Sequence, residues 1–599
     1  VRIPLLAAVL LLSARIPAAQ LDLLSEFQRV DPAGTVLEAD RAPANAGPLT
    51  LRGARAGYVS FRLVVKLARP GSYSLDLRWN DPGLETDLFR EWFHLTEPEK
   101  RYYPDALAPV RMPYRSELPE PDNRIARQSA QSFWVDIWIP ASARPGRYRG
   151  VARLEADGGA ITRPLDLTVL AAVVPEAEAV TMDHNSYGSS WIGSLYPAAR
   201  ARGGDGFFES DEFFSLIHAY HRIFHEHLGV FHQLGYGHGG KVGPEFAPEL
   251  EGTGRNKRVR NWRLYDRHYG PLLDGSAFAG ARRGARPIPF VYLPINPEWP
   301  ASFLWWGEPG YEAEFVNVVA EMERHFREKG WTNTVFEMFF NHKKRYKAFP
   351  WDGDETRFPE DNKYFHEYAR LLKKAVPAGT PVRFRFRSDS SWMMERQFQE
   401  LAGVVDFWVL GSSMVSWYRD APGMLKQRGD IVWIYGSTPT AQKSLAAVTF
   451  APFQCWMWGA DGYVRWLTTS PGEDPWFGFE GGDTVLAYPG ERFGVNGPIP
   501  SIRLKIQRNA VQDLTLLASF AGSRGLEALR EESSRRYVGA SANDWWQPRP
   551  AIADSPAYEM TNATIGENTT VIRQLEQRVQ AGSWTEVRNW ILRTAEEGR

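Results

Sequence analysis

The sequence predicts an α/β protein: a (β/α)8 TIM-like barrel preceded by an antiparallel β-sandwich. Three observations carry this. At 599 residues the chain is too long for one compact domain. Its first third alternates apolar and polar residues with period two, broken by Pro-Gly and Asp-Gly turns. From Val180 the pattern changes to short apolar strands separated by amphipathic helices, the signature of βα units.

Taken in order, Arg2, the apolar run Ile3 to Leu12 and the small residues up to Ala18-Ala19-Gln20 read as a cleavable export signal over residues 1–19. The run falls short of the about 20 residues that span a bilayer, and no later segment is long and apolar enough to do so. Residues 20–172 form the predicted sandwich, with strands at Tyr58 to Val65, Gly71 to Arg78, Phe133 to Ile139, Tyr148 to Glu155 and Ile161 to Leu170. Residues 171–178, with Pro175, read as a linker.

The barrel is expected over 179–530. Its strand candidates are 180–187, 229–236, 288–294, 334–341, 382–387, 405–411, 431–436 and 462–468. Helices are expected at 210–227, 312–329, 360–374, 393–402 and from Ile502 to Phe520. An insert at 239–285 carries the basic cluster Arg255 to Arg263. Residues 531–599 read as a helical extension with an amphipathic tail at 566–596.

Charge excludes several classes. Lys+Arg number 70 and Asp+Glu 71, so no broad positive surface is offered to nucleic acid or anionic lipid. The single cysteine, Cys455, permits no intramolecular disulfide and no cysteine-rich metal site, and inside Phe453-Gln454-Cys455-Trp456-Met457-Trp458 it reads as a buried thiol. There is no Walker loop, dinucleotide fingerprint or G-x-S-x-G elbow, and no cofactor is expected. The 23 Trp, 23 Tyr and 33 Phe leave two readings open: aromatic cores, or platforms for the apolar face of a sugar ring.

Active sites of such barrels lie at the C-terminal ends of the strands. That rule selects His184, Asn185 and Tyr187 on the first strand, His232 and Tyr236 on the second, and Tyr292 with Asn296 on the third. It adds Asn341 and His342 on the fourth and Arg387 and Asp389 on the fifth, then Trp408, Tyr435, Trp456 and Trp458. These are the expected sugar-binding residues. The strand ends also take in His238, Lys343 and Trp466. Beyond the fourth strand, Asp352, Asp354 and Glu355 crowd three carboxylates into four residues. Such a cluster serves glycosidic cleavage, which needs a protonated acid and a second stabilising group; it also fits a solvated acidic loop or a Ca²⁺ site. His221, His225 and His227 beside Glu226 do not follow the HExxH order of zinc proteases, and no metal is expected.

The hairpin Trp134-Val135-Asp136-Ile137-Trp138-Ile139-Pro140 with Pro145-Gly146-Arg147-Tyr148-Arg149-Gly150 resembles the N-terminal domain of glycoside hydrolase family 123 and its uncharacterised relatives. Ala487-Tyr488-Pro489-Gly490, Pro498-Ile499-Pro500-Ser501-Ile502-Arg503-Leu504 and Gln507-Arg508-Asn509-Ala510-Val511-Gln512-Asp513 are similar to that group's C-terminal signature. The resemblance implies a sandwich plus barrel acting on N-acetylhexosaminides by substrate assistance. The sugar's own acetamido oxygen attacks, an Asp orients it, and the following Glu is general acid/base. Here that adjacent pair is Asp354-Glu355, followed by Thr356 where the family usually has Pro. A glycan-binding protein without catalysis, a glycosidase of the same fold with different sugar specificity and mechanism, and a cation-dependent sugar enzyme are the rival expectations.

Overall fold

The computed structural model describes residues 18–41, 49–97, 99–157, 159–238, 242–301, 308–344, 349–355, 359–390, 395–548 and 570–597. Most of the expected export signal, and Thr356, lie outside these residues.

The N-terminal region forms two five-stranded sheets. The first is antiparallel throughout, in the order Ala19–Ser25, Gly57–Leu67, Ala130–Ile139, Glu85–Thr96, Arg101–Val110. The second runs Leu51–Arg55, Gly159–Val173, Gly146–Ala156, Gly71–Trp79, Tyr114–Leu118, and in it Leu51–Arg55 lies parallel to its neighbour. Leu63, Val65, Phe133 and Val135 of the first sheet share one apolar cluster with Leu75, Leu77, Leu154 and Leu167 of the second. Period-two alternation produces this: every second side chain of each strand turns to the facing sheet. The strand Gly159–Val173 continues into the expected linker, and Ala19–Ser25 begins inside the expected cleavage zone.

Eight parallel strands follow: Thr181–Tyr187, Gly229–Leu234, Phe290–Tyr292, Val335–Phe339, Arg383–Ser390, Phe407–Gly411, Ile431–Gly436 and Gly462–Arg465. Each falls within an expected strand or overlaps it by most of its length. The first strand pairs with the eighth, Thr181 opposite Gly462, so the sheet curls into a nearly closed barrel. The open seam lies between the second and third strands. The His232 and Tyr292 rings stack across it, with centroids 3.7 Å apart and planes 9° from parallel. Tyr236 adds to the seam by donating to the carbonyl of Phe339.

Helices Asp211–Glu226, Tyr311–Glu328, Asn362–Ala375 and Glu395–Glu400 occupy the expected places. The insert holds a short hairpin, Glu249–Glu251 with Arg258–Asn261, and helix Arg263–Leu273. Its basic cluster is neutralised locally: Arg258 pairs with Glu251, Arg260 with Glu249, and Arg263 with Glu209. The C-terminal helices are Leu526–Val538, which starts ahead of the extension expected from 531, and Thr570–Gln577 and Ser583–Glu597 in the expected tail.

Helix Ile502–Ala518 is unlike the rest. It starts at Ser501, whose hydroxyl accepts the Leu504 N–H at 3.0 Å, and every residue from Ile502 to Leu517 is buried. Its polar side chains join the N-terminal sheets to the barrel. Lys505 and Arg508 both reach Asp136, at 2.6 and 2.8 Å, and Gln512 bonds both the N–H and the C=O of Tyr58. Arg503 pairs with Asp105 at 2.7 Å. On its barrel side, Gln507 donates to His184 at 2.9 Å.

Removing one partner from a buried ion pair strands the other charge, which costs about 3–5 kcal/mol. Asp136→Ala strands two cations, Lys505 and Arg508. It is expected to lower unfolding free energy by at least that amount in urea titrations. A loss under about 1 kcal/mol, the range of exposed pairs, would reject this account of the interface.

Candidate active site

The inward side chains of the barrel strands stack in layers. Phe290, Phe407, Val409, Trp433 and Val464 fill the lower interior. Above them runs a chain of charges. His232 Nδ1 bonds Asp183 at 2.8 Å, its Nε2 lies 3.2 Å from Glu337, and Arg387 reaches the other Glu337 oxygen at 3.0 Å. Arg387 then holds Asp389 by two bonds of 2.7 and 3.0 Å. Burial opposes charge on His232, but Glu337 and Asp183 outweigh it and push its pKa up to about 9, so the ring is cationic at neutral pH.

The chain of charges ends at the barrel mouth with Asp389. There the loop after the fourth strand folds back onto its own strand end. The Gly353 and Asp354 N–H groups both donate to the His342 carbonyl, at 3.0 and 3.2 Å. Only glycine permits so close an approach: a Cβ on residue 353 would lie 2.5 Å from Phe340 Cβ and 2.6 Å from its carbonyl oxygen. Trp351 fixes the loop from behind by stacking on Tyr364. The fold-back carries Asp354 and Glu355, distant from the strand in sequence, to the strand end.

Lys343 touches both carboxylates. Its Nζ is 3.1 Å from Asp354 Oδ2 and bonds Glu355 Oε2, while the Tyr435 hydroxyl donates to Glu355 Oε1 at 2.9 Å. Asp354 is 8% exposed, and the Glu355 side chain 29%. Burial raises the Asp354 pKa to about 7; Lys343 opposes this, and the charges of Glu355 and Asp389 add to it. Glu355 sits at a φ of 51°, in the left-handed region where a side chain is strained. Asp352 faces away from the pair: its carboxylate accepts the Lys344 N–H at 2.7 Å. No group of three or more His, Cys, Asp or Glu with metal-holding geometry occurs among the described residues.

Aromatic rings border the pair. Trp466 is 43% exposed, packs edge-on against Tyr187 with centroids 5.1 Å apart, and lies nearly parallel to His238. His238 in turn is 3.7 Å from Asp354 and bonds the Asn341 carbonyl at 2.8 Å. Asn185, on the same strand face as Asp183, is buried, and its Oδ1 has no hydrogen-bond partner among the described residues. The mouth thus offers two carboxylates, a cation, a free acceptor and an exposed indole.

The sequence-selected residues divide accordingly. Asn185, Tyr187, Asn341, Asp389, Tyr435, Asp354 and Glu355 meet at the mouth, with Arg387, His232 and Tyr292 beneath. The others do not reach it, for reasons of register. His184 alternates with Asp183 and faces outward, stacked on Phe224. Trp408 also faces outward and bonds Asp430. His342 turns back into a box with Phe349 and Trp351, where burial lowers its pKa to about 3. Tyr236 closes the seam, and Asn296 is used in its own turn, accepting the Glu298 N–H. Trp456 and Trp458 sit on helix Phe450–Trp458, whose uniformly apolar run buries it on all sides, and they bond Ser533 and the Trp545 carbonyl.

The strand ends also take in His238, Lys343 and Trp466, which lie at the mouth beside the pair, whereas strand-end reasoning passes over Glu337. Glu337 was detectable: a lone acid in the apolar run Val335-Phe336-Glu337-Met338-Phe339 is tolerable only when paired.

No known family and no curated protein matches the sequence. Among solved structures, the chain is similar to a family 123 glycoside hydrolase from Clostridium perfringens, with a TM-score of 0.64 at 15% identity over 97% of this chain and 99% of that one. An endo-1,4-β-D-xylanase of Clostridium thermocellum aligns over 83% of this chain and 93% of its own with a TM-score of 0.31 at 12% identity. A β-glucuronidase of Parabacteroides merdae aligns over 76% and 50% with a TM-score of 0.29 at 8% identity. At these identities the first likeness establishes a shared fold. No helix among the described residues is long and apolar enough to cross a membrane.

The raised Asp354 pKa has a consequence for stability. The folded state holds this proton up to about pH 7, whereas the unfolded chain releases it near the ordinary value of about 3.9. Its contribution is therefore full below about pH 4 and is lost as pH rises through about 7. Asp354→Asn removes that loss. Its Tm relative to wild type is expected to climb between about pH 4 and 7 and level off above, as read by thermal melts across pH. A difference independent of pH would contradict the burial argument.

Proposed function

We propose that this protein is an exported glycoside hydrolase, a β-sandwich joined to a (β/α)8 barrel. It removes a terminal N-acetylhexosaminide from a glycan with retention of configuration. The observation that supports this most is the seat of Asp354 and Glu355: an adjacent acidic pair at the mouth of a parallel barrel, facing an exposed tryptophan. The likeness in fold to the family 123 enzyme, a protein described in terms of glycolipid glycan hydrolysis, supports the reaction class.

In this reading the sugar ring packs on Trp466 and its hydroxyls bond Asp389 and Asn185. Asp354 accepts the acetamido N–H and aligns the acetamido oxygen on the anomeric carbon. That oxygen attacks from the face opposite the leaving group, so the substrate is a β-linked sugar with an equatorial acetamido group. Glu355 gives its proton to the departing oxygen. It then takes a proton from the water that opens the cyclic intermediate, and two inversions give net retention.

A second reading, a protein that binds glycans without cleaving them, is favoured by one observation: Lys343 and Tyr435 occupy both oxygens of Glu355, the group that would have to deliver the proton. Activity separates the two. Wild type is expected to hydrolyse aryl N-acetyl-β-hexosaminides, and Glu355→Gln to lose about 10²–10⁴-fold in kcat with ligand binding largely intact. Full activity in that variant places the acid elsewhere; an inert wild type that still binds sugar leaves the binding reading standing. Trp466→Ala is expected to raise KM with a smaller effect on kcat, since stacking acts on substrate and transition state alike. A kcat loss with unchanged KM would remove Trp466 from the sugar platform.

A further inference from the structure

We infer that Lys343 is a positioning residue that exchanges the protonation states of Asp354 and Glu355 when the sugar binds, by shifting its hold from Glu355 to Asp354. The inference rests on the reading of the pair given above.

The geometry sets the problem. Both Glu355 oxygens are taken by donors, Lys343 on Oε2 and the Tyr435 hydroxyl on Oε1. With both oxygens accepting, these are the contacts of a carboxylate: the ammonium on Oε2 has only hydrogens to offer, and a proton on Oε1 would require the Tyr435 hydroxyl to reverse from donor to acceptor. The proton held near neutrality therefore rests on the more deeply buried Asp354. Substrate-assisted cleavage needs the reverse. Asp354 must be a carboxylate to accept the acetamido N–H, and Glu355 must carry the proton that the leaving oxygen receives.

Lys343 can make the exchange with little movement, since its Nζ already lies 3.1 Å from Asp354 Oδ2. When the acetamido N–H reaches Asp354, the carboxylate form there gains a second donor beside Lys343. The proton leaving Asp354 is taken up by Glu355, and Lys343 gives up Glu355 Oε2 to it. One ammonium, one carboxylate and one carboxylic acid are present before and after, so the trio stays neutral and no outside acid or base is needed.

The other groups facing the trio come from separate strands and do not substitute for Lys343. His238 approaches Asp354 at 3.7 Å but is engaged with the Asn341 carbonyl. Arg387 is committed to Asp389 and Glu337. Asp389 adds negative charge, which makes Asp354 harder to ionise, and Tyr187 and Tyr435 are neutral near pH 7 because burial raises both hydroxyls. Among the described residues, Lys343 alone touches both carboxylates.

The test uses the full chain and aryl N-acetyl-β-hexosaminides across pH. Lys343→Gln is expected to lose at least about 10²-fold in kcat with KM changed little, and to move the acidic limb of the pH profile upward, because Asp354 then ionises without its cation. Lys343→Arg, which keeps the charge, is expected to retain the wild-type limb and at least a tenth of the rate. Lys343→Gln should cost little more when added to Asp354→Asn, since both act through the same carboxylate. Thermal melts of Lys343→Gln and Lys343→Met check that the loss is not unfolding; if both unfold, Lys343→Arg carries the test through its pH limb. An unmoved acidic limb in Lys343→Gln, additivity with Asp354→Asn, or a shifted limb in Lys343→Arg overturns the inference while the hydrolase reading stands. A wild type inert toward every such substrate overturns both.

Discussion

The structure depends on a helix whose polar residues are buried. Helix Ile502–Ala518 lies between the N-terminal sheets and the barrel, and burying Lys505, Arg508, Gln507, Asn509 and Gln512 is tolerable only because each finds a partner there. Asp136 is the counterpart. It sits on a strand buried on both faces, one side-chain face filling the sheet core and the other meeting Lys505 and Arg508. An apolar interface would hold the sheets against the barrel in many rotations. Charges that must be matched within 3 Å permit far fewer.

The same logic recurs inside the barrel. A layer of aromatic and aliphatic side chains closes the lower half, and the upper half is given to Asp183, His232, Glu337, Arg387 and Asp389. These charges compensate one another in a medium where an unpaired one would be costly. Their rigidity positions the last member, Asp389, beneath the mouth, while the loop carrying Asp354 and Glu355 is tied down by a glycine contact and an aromatic stack. A fixed floor thus meets a separately anchored wall, and the two carboxylates face a lysine from that wall's own strand.

Much of the fold was legible in the sequence because strand and helix periods are local signals. All eight barrel strands and the main helices lie where the alternation of short apolar runs and amphipathic stretches put them. The site was half legible. The strand-end rule selects Tyr187, Asn341, Asp389 and Tyr435, which lie at the barrel mouth, but it does not say which side of the wall a residue faces. His184 and Trp408 failed on that one-residue register. Trp456 and Trp458 failed because an apolar run of that length fits strand and buried helix equally. Lys343 stands at a strand end in the sequence, but its contact with Asp354 and Glu355 depends on a loop folding back, which no local period encodes.

The helix between the sheets and the barrel has a consequence for how the chain is made. Its bonds to Asp136 and Glu26 join residues 369 to 483 positions apart, so loop closure over most of the molecule precedes them, and such distant pairing is slow. Until residue 502 has emerged from the ribosome, Asp136 has neither of its cations. Cutting the chain at the boundary between sheets and barrel would divide not two independent modules but one module and its fastener. The last-synthesised third of the protein therefore decides when the first third becomes native.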